Sequence, residues 1–154
     1  MINTEIREAT IEDARYIGAN LRQGDYAEFI AYGENVSPAI LVIESYQHSN
    51  FVRVATLDGI PAIMYGVADA EDDNSGLIWM VSTDDILKVS LEFIRSCTDE
   101  VVAMQSHYQR LCNFIHKDNA LSKRWLKWLG FTIDETESSG DFQYFSKEIT
   151  SCVE

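Results

Sequence analysis

Asn119-Ala120-Leu121-Ser122-Lys123-Arg124-Trp125-Leu126-Lys127-Trp128-Leu129-Gly130-Phe131 reads as a helix that starts behind an asparagine and stops at a glycine. Asn is a favoured N-cap, and Gly tolerates the left-handed backbone that commonly ends a helix. Trp125 and Trp128, with Leu121 and Leu129, load this helix with bulky apolar surface, while Lys123, Arg124 and Lys127 make it the one basic segment of an acidic chain. One reading is core packing beneath a solvated basic face. The other is an interaction helix with Arg124, Trp125 and Trp128 as partner anchors, because Trp and Arg are favoured at protein interfaces.

Downstream, Phe131 to Asp134 and Phe142 to Glu148 form a closing hairpin around Ser138-Ser139-Gly140. Upstream, Tyr108 to His116 reads as a strand. Before it Ile86, Val89, Phe93, Ile94 and Cys97 recur at the i, i+3, i+7, i+8, i+11 spacing of a core-facing stripe, so a long helix is expected with Ser82 or Thr83 as its cap. Leu77 to Val81 is a strand, preceded by an acidic turn over Glu71-Asp72-Asp73-Asn74-Ser75-Gly76. Phe51 to Leu57 and Ile60 to Ala68 pair across Asp58-Gly59, a strong hairpin signal. Glu5 to Thr10 alternates as a first strand, and Thr10 caps a helix through Ile11, Ala14, Ile17, Ala19 and Leu21. Gly24 interrupts that helix. A second, through Tyr26, Phe29 and Ile30, stops near Gly33, and Ser37-Pro38 opens a third through Ile40, Leu41, Ile43 and Tyr46.

This order predicts an α/β or α+β fold: one domain over residues 1–154, with a mixed central sheet and helices on both faces. The formal net charge of −13 argues against binding nucleic acid or anionic membranes. The same charge admits an acidic decoy that mimics nucleic acid. No signal peptide or membrane-length apolar run is seen. The three cysteines, Cys97, Cys112 and Cys152, suit a reducing compartment, so a cytoplasmic protein is expected. Cys97 and Cys112 read as core thiols. The histidines His48, His107 and His116 lack metal-ligand spacing with them, so no metal is expected.

The element order, with Asn119 and the Gly130-Phe131 ending, resembles the GNAT acyltransferase superfamily. The resemblance implies a cofactor site for acetyl-CoA at Val81, Ser82, Thr83, Asn119 and Ser122; Tyr26, Tyr32 and Tyr46 read first as amphipathic packing residues, and alternatively as the lining of the groove where family substrates lie. It also exposes departures. The family's diphosphate sits on a glycine-containing loop at the start of the long helix, where backbone N–H groups and the helix dipole hold it. Here the junction reads Val81-Ser82-Thr83-Asp84-Asp85-Ile86, without glycine and with two aspartates. The Tyr that the family places seven residues after the Asn is Leu126, which cannot reprotonate a leaving thiolate. Leu77 to Val81 offers no carboxylate or histidine as base.

No catalytic residue is therefore assigned, and no cofactor is expected on the leading reading: a GNAT-like protein with degraded chemistry, working through a protein partner and possible as a homodimer. The alternative is an acyl-CoA-dependent N-acyltransferase that still takes acetyl-CoA. Trp79 to Asp85, Asn119 to Phe131 and Asp141 to Phe145 also resemble the small GNAT-like proteins of T7-type podophages, the group that includes internal virion protein A. That resemblance implies a phage protein acting in particle assembly in the host cytoplasm.

Overall fold

Thr10, two residues past the first strand, starts the first helix. The computed structural model describes residues 2–31, 37–72 and 74–148. After β1 (Thr4–Glu8), the Thr10 hydroxyl accepts the Asp13 N–H at 3.3 Å and the Asp13 carboxylate accepts the Thr10 N–H at 2.8 Å. This reciprocal cap fixes the start of α1 (Ile11–Ala19). Two short helices follow, α2 (Gln23–Ala31) and α3 (Pro38–His48), the latter capped by the Ser37 hydroxyl. Then come β2 (Phe51–Leu57) and β3 (Ile60–Asp69), joined through Asp58 and Gly59 at φ 52° and 84°. Two consecutive positive φ values make the tight turn whose twist matches a hairpin. β4 (Ser75–Ser82), α4 (Leu91–Gln105), β5 (Arg110–His116), α5 (Ala120–Trp128), β6 (Thr132–Ser139) and β7 (Phe142–Glu148) complete the chain.

The strands form one sheet in the order β1-β2-β3-β4-β5-β7-β6. Only β4 and β5 are parallel, and α4 supplies the crossover that a parallel pair needs. Side chains alternate across the sheet. Ile63, Tyr65 and Val67 pack with Phe93, Cys97, Val101, Met104, Leu111, Trp125 and Phe145 on the α4–α5 face. Met64 and Val81 pack with Ala14, Ile17 and Val42 beneath α1 and α3 on the other. The expected mixed sheet with helices on both faces is thus present, as a single α+β domain.

Three local expectations are corrected. The long helix does not begin at Ser82 or Thr83. Thr83 instead caps a single 3-10 turn, Asp84–Lys88, by accepting the Asp85 N–H. Val89 is extended (φ −74°, ψ 135°), and Ser90, which accepts the Phe93 N–H at 3.1 Å, caps α4. The apolar stripe therefore spans two elements, with Ile86 buried from the turn and Phe93 and Cys97 from the helix. Gly24 is not a break but lies inside α2. A Cβ there would meet Arg22 Nη1 at 2.6 Å, so the glycine leaves room for that guanidinium. The last hairpin turns at Gly140 (φ 63°) and Asp141, with Ser138 and Ser139 still in β6. Gly33, Tyr32 and Cys152 lie outside the described residues.

Candidate functional site: the split between two parallel strands

β4 and β5 pair only where Ser75, Gly76 and Leu77 face Arg110, Leu111 and Cys112. Beyond this the strands diverge. Asn113 reaches across the opening split and donates its side-chain amide to the Ile78 carbonyl at 3.0 Å. Residues two apart on a strand point the same way. Ile78 C=O and Ser82 N–H both face the split, so the backbone of Met80 between them does too. A cavity of about 250 Å³ occupies this split beneath α4 and α5. Its walls are mostly apolar, from Ile63, Met80, Phe93, Met104, Trp125 and Leu129, with Asp25, Glu28, Glu100, Asn113, Asn119 and Ser122 among the polar points.

The open ends of the two strands are joined by α2. Ser82 is held twice: its carbonyl accepts the Arg22 N–H at 2.8 Å, and its N–H donates to Asp25 Oδ2 at 2.9 Å. On the β5 side, Glu28 Oε1 accepts the Asn119 side-chain amide at 2.9 Å and the His116 N–H at 3.3 Å. The Arg22 guanidinium joins the halves, donating to Asp25 at 3.1 Å and to the Asn119 side-chain oxygen at 2.9 Å. Asn119 thus stands at the N-cap position of α5 without capping it, because its side chain is engaged with α2. Burial pushes the Asp25 carboxyl above its ordinary range, more than the Arg22 charge and the Ser82 and Asn119 hydrogen bonds pull it down. Glu28 is raised for the same leading reason, against the Asn119 and His116 hydrogen bonds.

Val81 and Ser122 line the cavity together with Asn119, and Ser82 reaches it through Asp25. Thr83 does not line it; its N–H donates to the Ala62 carbonyl at 2.9 Å. Trp125 turns inward at 8 % exposure and packs in the core, so it is unavailable to a partner, whereas Arg124 and Trp128 face outward. Neither Tyr26 nor Tyr46 lines the cavity: Tyr26 is exposed on α2, and Tyr46 packs in the α1–α3 core. Cys97 and Cys112 are buried thiols. Burial, with Glu100 nearby, pushes Cys97 up to about 12.

Sequence reasoning missed Arg22, Asp25 and Glu28. Their i, i+3, i+6 spacing places them on one helical side, a signal that was available. It also missed Glu100 on α4, which accepts the Tyr65 hydroxyl at 2.6 Å and the Arg53 guanidinium at 3.2 Å.

At the junction after β4 several backbone N–H groups are already engaged within the chain. Ser82 N–H is on Asp25, Thr83 N–H on Ala62, Asp85 N–H on the Thr83 hydroxyl and Phe93 N–H on the Ser90 hydroxyl. Lys88 is paired with Asp85 at 3.1 Å, and Asp84 and Glu92 add negative charge at the turn and the helix start. Each like charge at about 4–6 Å costs about 1 kcal/mol or more at surface-like dielectric.

No protein-family model matches the chain, and no curated protein matches it in sequence. Solved structures do. The GNAT domain of S. lividans PAT superposes with a TM-score of 0.71 at 9% identity, over 95% of this chain and 90% of that one. The paiA N-acetyltransferase of Thermoplasma acidophilum, in complex with coenzyme A, gives 0.67 at 12% identity over 96% and 99%. An acetyltransferase of the GNAT family from Streptococcus pneumoniae gives 0.60 at 14% identity over 96% and 100%. The chain has the GNAT acetyltransferase fold.

Proposed function

We propose that this protein keeps the GNAT fold without acetyl-CoA chemistry and works through contacts with other proteins. The observation that carries the reading is the clasp of α2 on Ser82. Both backbone groups at the end of β4 are taken by Arg22 and Asp25, and the Thr83 and Asp85 N–H groups just after it are engaged within the chain as well. An anionic cofactor arriving there meets the carboxylates of Asp25, Asp84 and Asp85. Leu126 adds to this, since it cannot donate a proton to a leaving thiolate. The likeness of Trp79–Asp85, Asn119–Phe131 and Asp141–Phe145 to podophage proteins supports a role in particle assembly in an infected cell.

A second reading, an acyl-CoA-dependent N-acyltransferase acting on a small amine or a protein amine, is favoured by the cavity of about 250 Å³ between β4 and β5. In it three carboxylates line the cavity, Asp25, Glu28 and Glu100; Glu100 is engaged by Tyr65 and Arg53, and the raised pKa values of Asp25 and Glu28 make them the better bases for an acceptor amine's proton. Titration of acetyl-CoA into the purified protein, followed by heat release and thermal unfolding together, separates the readings. A ligand at 100 times its dissociation constant adds about 2.7 kcal/mol of stability. The expected result is no heat and no shift at millimolar acetyl-CoA. A saturable shift overturns the first reading in favour of the second.

A further inference from the structure

We infer that the outward face of α5 is a docking surface for an acidic segment of another protein. The inference rests on the contact reading above and gives the partner its chemistry. The chain carries 25 acidic and 12 basic residues, so nearly every cation has carboxylates to choose from. Arg7, Arg15, Arg22, Arg53, Lys88, Arg110 and Lys117 each form an ion pair. Among the described residues Arg95, Lys123, Arg124, Lys127 and Lys147 do not.

Four of these five gather on one structure. Lys123, Arg124 and Lys127 recur at the i, i+1, i+4 spacing of one helical side, and Trp128, one residue on, is 52 % exposed beside them. Lys147 extends the patch to the end of α5, where its ammonium donates to the Leu129 carbonyl at 3.2 Å. The opposite side of α5, with Ser122 and Trp125, is buried. Unpaired cations concentrated beside an exposed indole, in a chain with carboxylates in excess, leave a surface complementary to carboxylates and to an apolar or aromatic side chain. The net charge of −13 repels any anion that extends past the patch, which disfavours a long phosphate backbone and a second whole copy and favours a short acidic segment that covers α5 alone.

The test uses the full chain and a synthetic oligoglutamate peptide, read by tryptophan fluorescence at about 0.1 M salt, where the Debye length is about 10 Å. Binding is expected, and it should vanish at about 1 M salt, where that length falls to about 3 Å. Lys127→Glu should weaken it by about tenfold or more, while Arg95→Glu, the same change of net charge away from α5, should leave it unaltered. Unchanged thermal unfolding of both variants shows that each is folded. No binding of oligoglutamate, or equal loss in both variants, overturns the inference. So does preferential binding of oligothymidylate, which would assign the patch to nucleic acid. Self-association abolished by Lys127→Glu would assign it to a second copy and also overturns it. The acetyl-CoA titration reads the cavity and this experiment reads α5, so either proposal can fail alone.

Discussion

Asp25 and Ser82, 57 residues apart in sequence, meet at 2.9 Å through a carboxylate and a backbone N–H that are both buried. This contact fixes α2 to the end of β4, and the same aspartate holds the Arg22 guanidinium that reaches Asn119. Asp25→Ala leaves a buried N–H and a largely buried guanidinium without their carboxylate. Breaking one side of such a pair costs about 3–5 kcal/mol. Urea unfolding should show a loss in that range. A loss below about 1 kcal/mol would mean that α2 is not held by this contact.

Stability should depend on pH in opposite senses at two carboxylates. Glu28 is raised above its ordinary 4.5, chiefly by burial, so its ionised form is disfavoured in the fold. As pH falls from neutral, the folded chain takes up this proton before the unfolded chain does, and the penalty of the charge disappears by about pH 4.5. Wild type should therefore gain stability relative to Glu28→Gln on acidification over that window. Asp13 differs. Burial pushes it up, but the hydrogen bond from Arg7, those from Thr10 and the Arg7 charge outweigh burial and hold it below 3.8. Its contribution is present above pH 3.8 and is lost as pH falls through the lower folded value. The advantage of wild type over Asp13→Asn should thus persist to pH 3.8 and shrink only below it. Melting temperatures of the three proteins across this range check both signs.

The sheet was legible because its strands alternate and its turns carry the residues that turns require. Asp58-Gly59 and Thr10 with Asp13 are local signals, and each acts over a few residues. The start of α4 was misread because Ile86 and Val89 continue the helical stripe, although a 3-10 turn and an extended valine carry them. Periodicity reports which side chains are buried, and a turn feeding a helix buries the same ones. The late helix was placed correctly, yet its two tryptophans were grouped as one surface. They lie three residues apart, and one helical turn separates a core wall from an outer edge. Least legible was the role of α2. Arg22, Asp25 and Glu28 look like a solvated charged face until their partners on β4, β5 and α5 are known, and those partners are between 57 and 97 residues away.

Trp125 and Trp128 should separate cleanly by mutation. Trp125 is 8 % exposed and packs with Phe131 and Phe145 in the core, so Trp125→Ala should cost about 3–5 kcal/mol. Trp128 is 52 % exposed, and Trp128→Ala should change stability by about 0.5 kcal/mol or less. Urea midpoints for the two variants measure this directly. Comparable losses would mean that Trp128 also packs against the body of the protein.

The thiol chemistry of the cavity wall gives a last test. Cys97 borders the split between β4 and β5, and burial with the Glu100 charge pushes its pKa up to about 12. At about pH 8 only about one such thiol in ten thousand is ionised, and the thiolate is the reactive form. Cys112 is buried as well. In a Cys152→Ser variant, which leaves these two thiols alone, Ellman's reagent should therefore find almost nothing to titrate in the folded protein. On addition of urea both should react at the rate of ordinary cysteines. Fast reaction of one thiol without denaturant, abolished by Cys97→Ala, would show that the split opens to solvent more readily than its apolar walls imply. The cavity would then be accessible to an acyl group carried on a longer chain, which would favour the acyltransferase reading.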